Sequence, residues 1–494
     1  MKSQFSPKNI FGRSGLVSNS LWGIVSTLFQ TLFLSAFFVI LSRQYSITEF
    51  SHFLIANTIY QLIVGFSSMG LGLWFIREYG HETDDRDTLV YRFIKVQGFL
   101  GIVFYAINIA LAFVIYEDQQ IRMLTLILGT NIIFDNIIYA LKHLNIAQSE
   151  QRKTAIIMAV EGLLRLIAGC LLFVLPISLA YLSIVLVVIR LLTVGVFIQI
   201  GSGGSISLKK LWLFKISWAD LQKNVLMNWK FILIVGSSIL FWRSATIIIS
   251  KYLTAADVAN YEISYKIFSI FTMLCIVAST TIYPRFVKLI AANDYEKIRS
   301  LYSVISMGFG LFVIFSYAFM YSFSDILITL IFGDKFLTAG NCMKEMFLTL
   351  IVFPTVFLQA NLLVAMKLEK MDMLLNFMAL VINLTCSLIG LHFFSSLSVL
   401  NYSIFISFTI FHISQNILLI RMKINTIQSA VAFYVAAAAF ILCYQFASQA
   451  FDALIVFACF FLLVMIPAMV WLFTKIRGHF ENGPKENLQF NGSM

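Results

Sequence analysis

Apolar runs of about twenty residues recur along this chain, and no other feature restricts the fold so strongly. They lie near 19–41, 53–76, 94–116, 121–143, 154–176 and 178–200, then near 231–251, 261–283, 299–321, 344–366, 372–394, 399–420, 427–447 and 452–474. At a rise of about 1.5 Å per residue, each is long enough for the roughly 30 Å hydrocarbon core of a bilayer. No water is present there to satisfy backbone N–H and C=O groups, so continuous runs of this kind must be helical. The expected fold is all-α: a polytopic integral membrane protein with about 14 transmembrane helices. Composition agrees, with 60% hydrophobic and 12% charged residues in 494 positions. An average soluble chain has about 45–50% apolar and about 25% charged residues.

The formal charge of +11 is spread over many short loops, which argues against a nucleic-acid surface. With the N-terminus in the cytoplasm, 26 of the 35 Lys and Arg fall in cytoplasmic segments. Five (Arg43, Arg122, Lys251, Lys335 and Lys344) fall outside and four lie within spans. The positive-inside bias therefore puts both termini in the cytoplasm. Cys170, Cys275, Cys386, Cys443 and Cys459 lie in apolar runs and Cys342 in a loop, without CxxC or metal-ligand spacing. They read as small core residues, and no metal or cofactor is expected. Met1 to Ser18 has no small-residue cleavage site behind a short apolar core, so the first span is expected to be retained.

A repeat organises these spans. Ser42 to Arg77 is echoed without a gap by Ser250 to Arg285, a constant offset of 208. Ser42 falls on Ser250, Arg43 on Lys251, Ser46 on Thr254, Glu49 on Asp257, Gly70 on Ala278 and Arg77 on Arg285. Few matches are identities; most are chemical. Because the copies are six spans apart they run in the same direction, a parallel repeat about the membrane normal. The expected organisation is two pseudo-symmetric six-helix lobes at 1–207 and 231–425. A basic, aromatic surface helix links them at 208–230. An additional helix pair follows at 426–480, and then a polar tail at 481–494 expected to be disordered.

The best-patterned pieces are "LSRQYSITEFSHF" at 41–53, "GFSSMGLGLWFIREYG" at 65–80, "ISKYLTAADVANYEISYKI" at 249–267, "IYPRF" at 282–286 and "LIFGDKFLTAG" at 330–340. Together they resemble the polysaccharide flippases of the multidrug/oligosaccharidyl-lipid/polysaccharide (MOP) exporter superfamily, especially the O-antigen (Wzx-type) flippases. The resemblance extends over most of the chain. It implies a MATE-like fold in a bacterial inner membrane and a lipid-linked anionic oligosaccharide as cargo, as in lipopolysaccharide biosynthesis. It also implies membrane lipids and polysaccharide polymerase machinery as partners, with the protein itself a monomer. One position departs from the pattern: relatives often carry an Asp five residues before the one matching Ser250, and here it is Ala245. A twelve-span core is common among relatives, so the last two spans look like an addition.

A charge at mid-membrane costs roughly 2.5–3.5 kcal/mol on insertion scales, so each needs a partner or a wet cavity. Seven residues qualify: Asp135, Glu161, Arg165, Arg190, Arg243, Glu262 and Lys266. Glu161 and Arg165, and likewise Glu262 and Lys266, stand four apart on a helix face. Each pair is either self-neutralising or part of a cavity wall that shares its cation with an anionic substrate. Lys266 also lies close enough to the outer surface to snorkel. Arg190 and Arg243 lie about twelve residues into their spans, roughly 18 Å deep, with no acid at i±3 or i±4. They are expected to face a cavity or the lobe interface, the alternative being a structural role capping backbone carbonyls; in a cavity, a guanidinium fork suits a diphosphate. Arg190, Arg243, Arg165 and Lys266 are thus the candidate substrate cations, and Asp135, Glu161 and Glu262 the coupling or pairing acids. Tyr60, Tyr261 and Tyr265 are either sugar-stacking or interfacial residues. The functional expectation is a flippase working by alternating access, not an enzyme. The alternatives are a drug or cation antiporter, which calls for buried first-lobe acids, and a membrane polymerase or glycosyltransferase, which calls for a sizeable outer loop.

Overall fold

The computed structural model describes residues 15–81, 85–201, 206–214, 222, 236 and 239–481. All regular structure among them is helical. The first repeat copy and its surroundings form α1 (Gly15–Gln44), α2 (Ile47–Ser67), α3 (Leu71–His81) and α4 (Arg86–Ile115). Next come α5 (Gln119–Gly129), α6 (Asn131–Ala147), α7 (Gln151–Cys170), α8 (Leu179–Val196) and the short α9 (Leu208–Leu213). Residues 239–252 are α10. They are followed by α11 (Ala255–Ala291), α12 (Tyr295–Phe332), α13 (Thr338–Leu350) and α14 (Phe353–Ala365). The chain continues with α15 (Glu369–Phe393), α16 (Ser398–Arg421), α17 (Ile427–Ala450), α18 (Ala453–Phe460) and α19 (Ile466–Glu481).

Eleven helical segments among the described residues are long and apolar enough to cross a membrane. The expected first span lies in α1, whose described apolar part is Phe29–Gln44. Most of the expected linker at 208–230 and nearly all of the tail lie outside the described residues. Outward faces are apolar where lipid tails would meet them: Val114 is 83% exposed and Leu463 74%. Pro354 sits in the first turn of α14, where a missing N–H costs nothing, and Pro467 follows closely on the π-turn at Phe461–Met465.

The repeat is visible in local chemistry. Ser46 caps α2: Glu49 N–H donates to its Oγ at 3.2 Å while Ser46 N–H and Oγ donate to Glu49 Oε2 at 3.2 and 2.7 Å. Thr254 and Asp257 repeat this box before α11, at 3.3, 3.0 and 2.7 Å. Each such cap is worth about 1 kcal/mol. Ser42 and Ser250 both donate to the carbonyl three residues back at 2.7 Å. The basic residues that follow each reach a distant helix end. Arg43 donates to the Ile331 and Leu330 carbonyls of α12 at 2.8 and 2.5 Å, and Lys251 donates to the Ile115 carbonyl of α4.

After these shared starts the copies diverge. Helix α2 ends at Ser67, and Met69 and Gly70 take positive φ of 50° and 65° before α3 begins. Helix α11 runs on for 37 residues through Pro284.

Residues cluster into two compact units. Unit 1 comprises Met1–Lys266, Thr329–Phe336 and Asn383–Leu400; unit 2 comprises Ile267–Ile328, Leu337–Ile382 and Asn401–Met494. In unit 1, α4 and α6 approach so closely that a methyl on Gly101 would fall 2.8 Å from Ile133 Cα, so glycine is required there. Phe75 and Phe93 stack at 4.3 Å in a core shared with Leu71, Ile138 and Leu141. Unit 2 packs around Phe286, Tyr302, Leu358, Leu362 and Leu419.

Candidate functional site

Four helices of unit 1 bring the buried charges together. Helix α6 carries Asp135, α7 carries Glu161 and Arg165, α8 carries Arg190 and α2 carries Tyr60. Arg190 bridges both carboxylates: Nε donates to Asp135 Oδ1 at 2.6 Å, Nη1 to Glu161 Oε2 at 2.5 Å, and Nη2 also to Asp135. Arg165 holds the other oxygen of Glu161 through Nε at 2.9 Å and Nη2 at 2.7 Å. The Tyr60 hydroxyl donates to Asp135 Oδ2. Glu161 and Asp135 side chains are only 2% and 6% exposed, so each carboxylate depends on these donors to offset lost hydration.

Beside this network lies a cavity of about 340 Å³. Asp135, Tyr139 and Lys142 line it from one face of α6, Tyr60 and Ser67 from α2, and Arg190 from α8. The helix break after Ser67 is anchored around it. Asn136 donates to Ser67 Oγ at 2.6 Å, Gln97 donates to the Ser68 carbonyl at 3.1 Å, and Gly72 N–H donates to Tyr139 Oη at 3.0 Å. Among the described residues, no carboxylate lies within ion-pair distance of Lys142.

A second constellation lies elsewhere in unit 1. Glu262 Oε1 accepts from Thr246 Oγ1 at 2.5 Å and Thr58 Oγ1 at 3.3 Å, and Oε2 is 3.8 Å from Arg243 Nη1. The Arg243 guanidinium lies 5.3 Å from the Tyr265 ring centroid, and Lys266 Nζ 5.9 Å from that of Phe38. Ala245 is buried and adjoins Thr246, so the carboxylate at this level is Glu262.

The Glu161 and Arg165 pair forms at the helical spacing that predicts it. Arg190 lines the cavity, and acids from α6 and α7 also occupy its fork. Its partners are 55 and 29 positions away, beyond any helix-face rule. Tyr60 belongs to this buried network rather than to an interfacial belt. Lys142 was missed, because at the end of an apolar run it counts with the cytoplasmic loops. The usable signal was its place seven residues after Asp135, two turns along the same face.

A family profile described as "Polysaccharide biosynthesis protein" matches residues 16–290. No curated protein matches in sequence. Among solved structures, the chain is similar to "Lipid II flippase MurJ, inward closed conformation", with a TM-score of 0.71 at 12% identity over 93% of this chain and 98% of that one. It is similar to an inward-facing multidrug resistance MATE family transporter of the MOP superfamily, with a TM-score of 0.65 at 13% identity over 80% and 94%. A MOP superfamily transporter from Pyrococcus furiosus Vc1 gives 0.56 at 13% identity over 88% and 100%. At these identities the likeness is one of fold.

Proposed function

The chain belongs to the polysaccharide biosynthesis protein family, and from that premise we propose that it is a flippase for a lipid-linked oligosaccharide. The cargo would be an undecaprenyl-diphosphate-linked O-antigen or related polysaccharide repeat unit. It would move from the inner to the outer leaflet of a bacterial inner membrane by alternating access of two lobes. One observation carries this reading: a membrane-embedded, polar cavity with a surplus cation. Asp135 and Glu161 balance Arg190 and Arg165, which leaves Lys142, among the described residues, as the positive charge on the wall without an ion-pair partner. An ammonium there would be costly facing lipid and attracts an anionic headgroup when it faces water. The glycan would then need only wet space beside it. The antiporter reading needs first-half acids available for coupling, and both are already held by arginines.

The test is transport of a fluorescent undecaprenyl-diphosphate oligosaccharide by the purified protein in vesicles. We expect Lys142→Ala to lower the rate at least tenfold with thermal stability unchanged, and Lys142→Arg to keep part of it. Wild-type transport by Lys142→Ala would remove the surplus-cation reading, and an inactive wild type with several such glycolipids would remove the flippase reading. The 26-to-5 bias in Lys and Arg supports cytoplasmic termini. A cysteine placed at Glu117 is expected to react with an impermeant maleimide in intact cells, whereas one after Arg477 is not; the reverse pattern would invert the topology.

A further inference from the structure

Unit 2 holds a second polar cavity, unrelated to the charges considered so far. On α12, Arg299, Tyr302, Ser303, Ser306 and Gly310 recur at the three- and four-residue spacing of one helix face. His412 and Asn416 face them from α16, and Thr426, Ser429 and Phe433 from the start of α17. Together they line a space of about 440 Å³, within the usual range of small-molecule sites. Arg299 to Gly310 is eleven residues of helix, so the cavity runs about 16 Å along α12 from its second turn.

Its far wall is a continuous hydrogen-bonded string. Tyr434 Oη pairs with His412 Nδ1 at 2.7 Å, and Asn416 Nδ2 with His412 Nε2 at 3.2 Å. Asn425 donates to Asn416 Oδ1 at 2.8 Å, and Thr426 N–H donates to Asn425 Oδ1 at 2.8 Å. Because the Asn416 amide nitrogen is a donor, His412 Nε2 accepts and its ring proton sits on Nδ1, an assignment made from this network. The wall is therefore neutral, rigid and rich in amide and hydroxyl groups. Among the described residues, Arg299 is the charged member of the lining and no carboxylate lines the space. At the inner end a Cβ added to Gly310 would meet nothing within 4 Å, so the space there is open.

We infer that this cavity binds a phosphate ester carrying free hydroxyl groups, the headgroup chemistry of an anionic membrane lipid. The phosphate takes Arg299 at the entrance, where a guanidinium fork matches two phosphate oxygens. The hydroxyls lie against Ser303, Ser306 and the His412–Asn416 wall, which supplies donors and acceptors without charge. Met307 and Phe433 give the C–H faces of the ligand an apolar surface. Helix α17, the first of the pair beyond the twelve-span core, forms one wall, so an occupant ties it to α12 and α16. Two sources share this chemistry: a bilayer phospholipid such as phosphatidylglycerol, or the glycosyl-phosphate end of a polyprenyl lipid.

Native mass spectrometry of the purified full-length protein, titrated in separate arms with phosphatidylglycerol, phosphatidylcholine and a polyprenyl-phosphate hexose, tests this. Phosphatidylglycerol or the glycolipid is expected to bind at least tenfold more tightly than phosphatidylcholine, which has the phosphate but no free hydroxyl, and the tighter of the two identifies the source. Arg299→Gln should weaken that ligand about tenfold, the loss of one charge-assisted pair. Gly310→Phe should weaken it by filling the inner end, and Ser303→Ala stands in if that variant does not fold. Equal binding of all three lipids overturns the proposal, as does wild-type binding by both Arg299→Gln and Ser303→Ala.

Discussion

Arg190 and Arg243 look alike in the sequence and behave differently in the structure. Both are deep in apolar spans without an acid on their own helix turn. Arg190 is 12% exposed and locked to two carboxylates from two other helices at hydrogen-bond distance. Arg243 is 22% exposed and stands 3.8 Å from one carboxylate, with an aromatic ring as its other neighbour. The difference teaches that depth in a membrane span measures only how badly a cation needs company. How far the protein itself supplies that company depends on how many acids the neighbouring helices bring. Two are supplied at Arg190. At Arg243 one is, among the described residues, and two threonines share it.

The sharpest way to break this comparison is to remove each guanidinium and measure stability. Arg190→Ala strands Asp135 with little beyond the Tyr60 hydroxyl, and is expected to destabilise the folded protein by about 3–5 kcal/mol, the usual cost of breaking a buried pair. Folded yield and the thermal unfolding midpoint in detergent report it, and a midpoint within a degree of wild type would mean that Arg190 does not hold the helices. Arg243→Ala loses a longer contact and a cation–π neighbour, with an expected cost of about 1 kcal/mol. Transport should fall further than stability, with Arg243→Lys intermediate. If Arg243→Ala unfolds the protein as readily as Arg190→Ala, the two arginines do the same job. The smallest effects test the repeat: Ser46→Ala and Thr254→Ala should each cost about 1 kcal/mol, with values close to one another. A large inequality between them would show that the two capping boxes have separate roles despite equal geometry.

The fold was legible because its signal is local. Most of the long apolar runs lie in helix among the described residues, since the bilayer leaves the backbone no other partner, and Ser46/Glu49 and Thr254/Asp257 are caps readable from four consecutive residues. Glu161 and Arg165 were legible for the same reason, at one helical turn. Three features were not. Arg190 finds Asp135 and Glu161 only after three helices pack. Lys142 sits where an apolar run fades, so a hydropathy reading places it in a loop. The break at Ser68 to Gly70 interrupts a run that is apolar on both sides, and only backbone dihedrals reveal Met69 and Gly70 in the left-handed region. Chain separation, not unusual chemistry, is what hid the site.

The basic residues at the ends of the repeat's first helices bear on how such a chain came to exist. Arg43, in the first half of the sequence, closes the end of α12 in the second; Lys251, in the second half, closes the end of α4 in the first. In a symmetric pair of half-length ancestors this would have been one contact, made twice, each partner completing the other. Within a single chain the two contacts are free to differ, and they do. One now uses a guanidinium across two carbonyls, and the other an ammonium on one carbonyl with the Tyr116 ring 4.6 Å away.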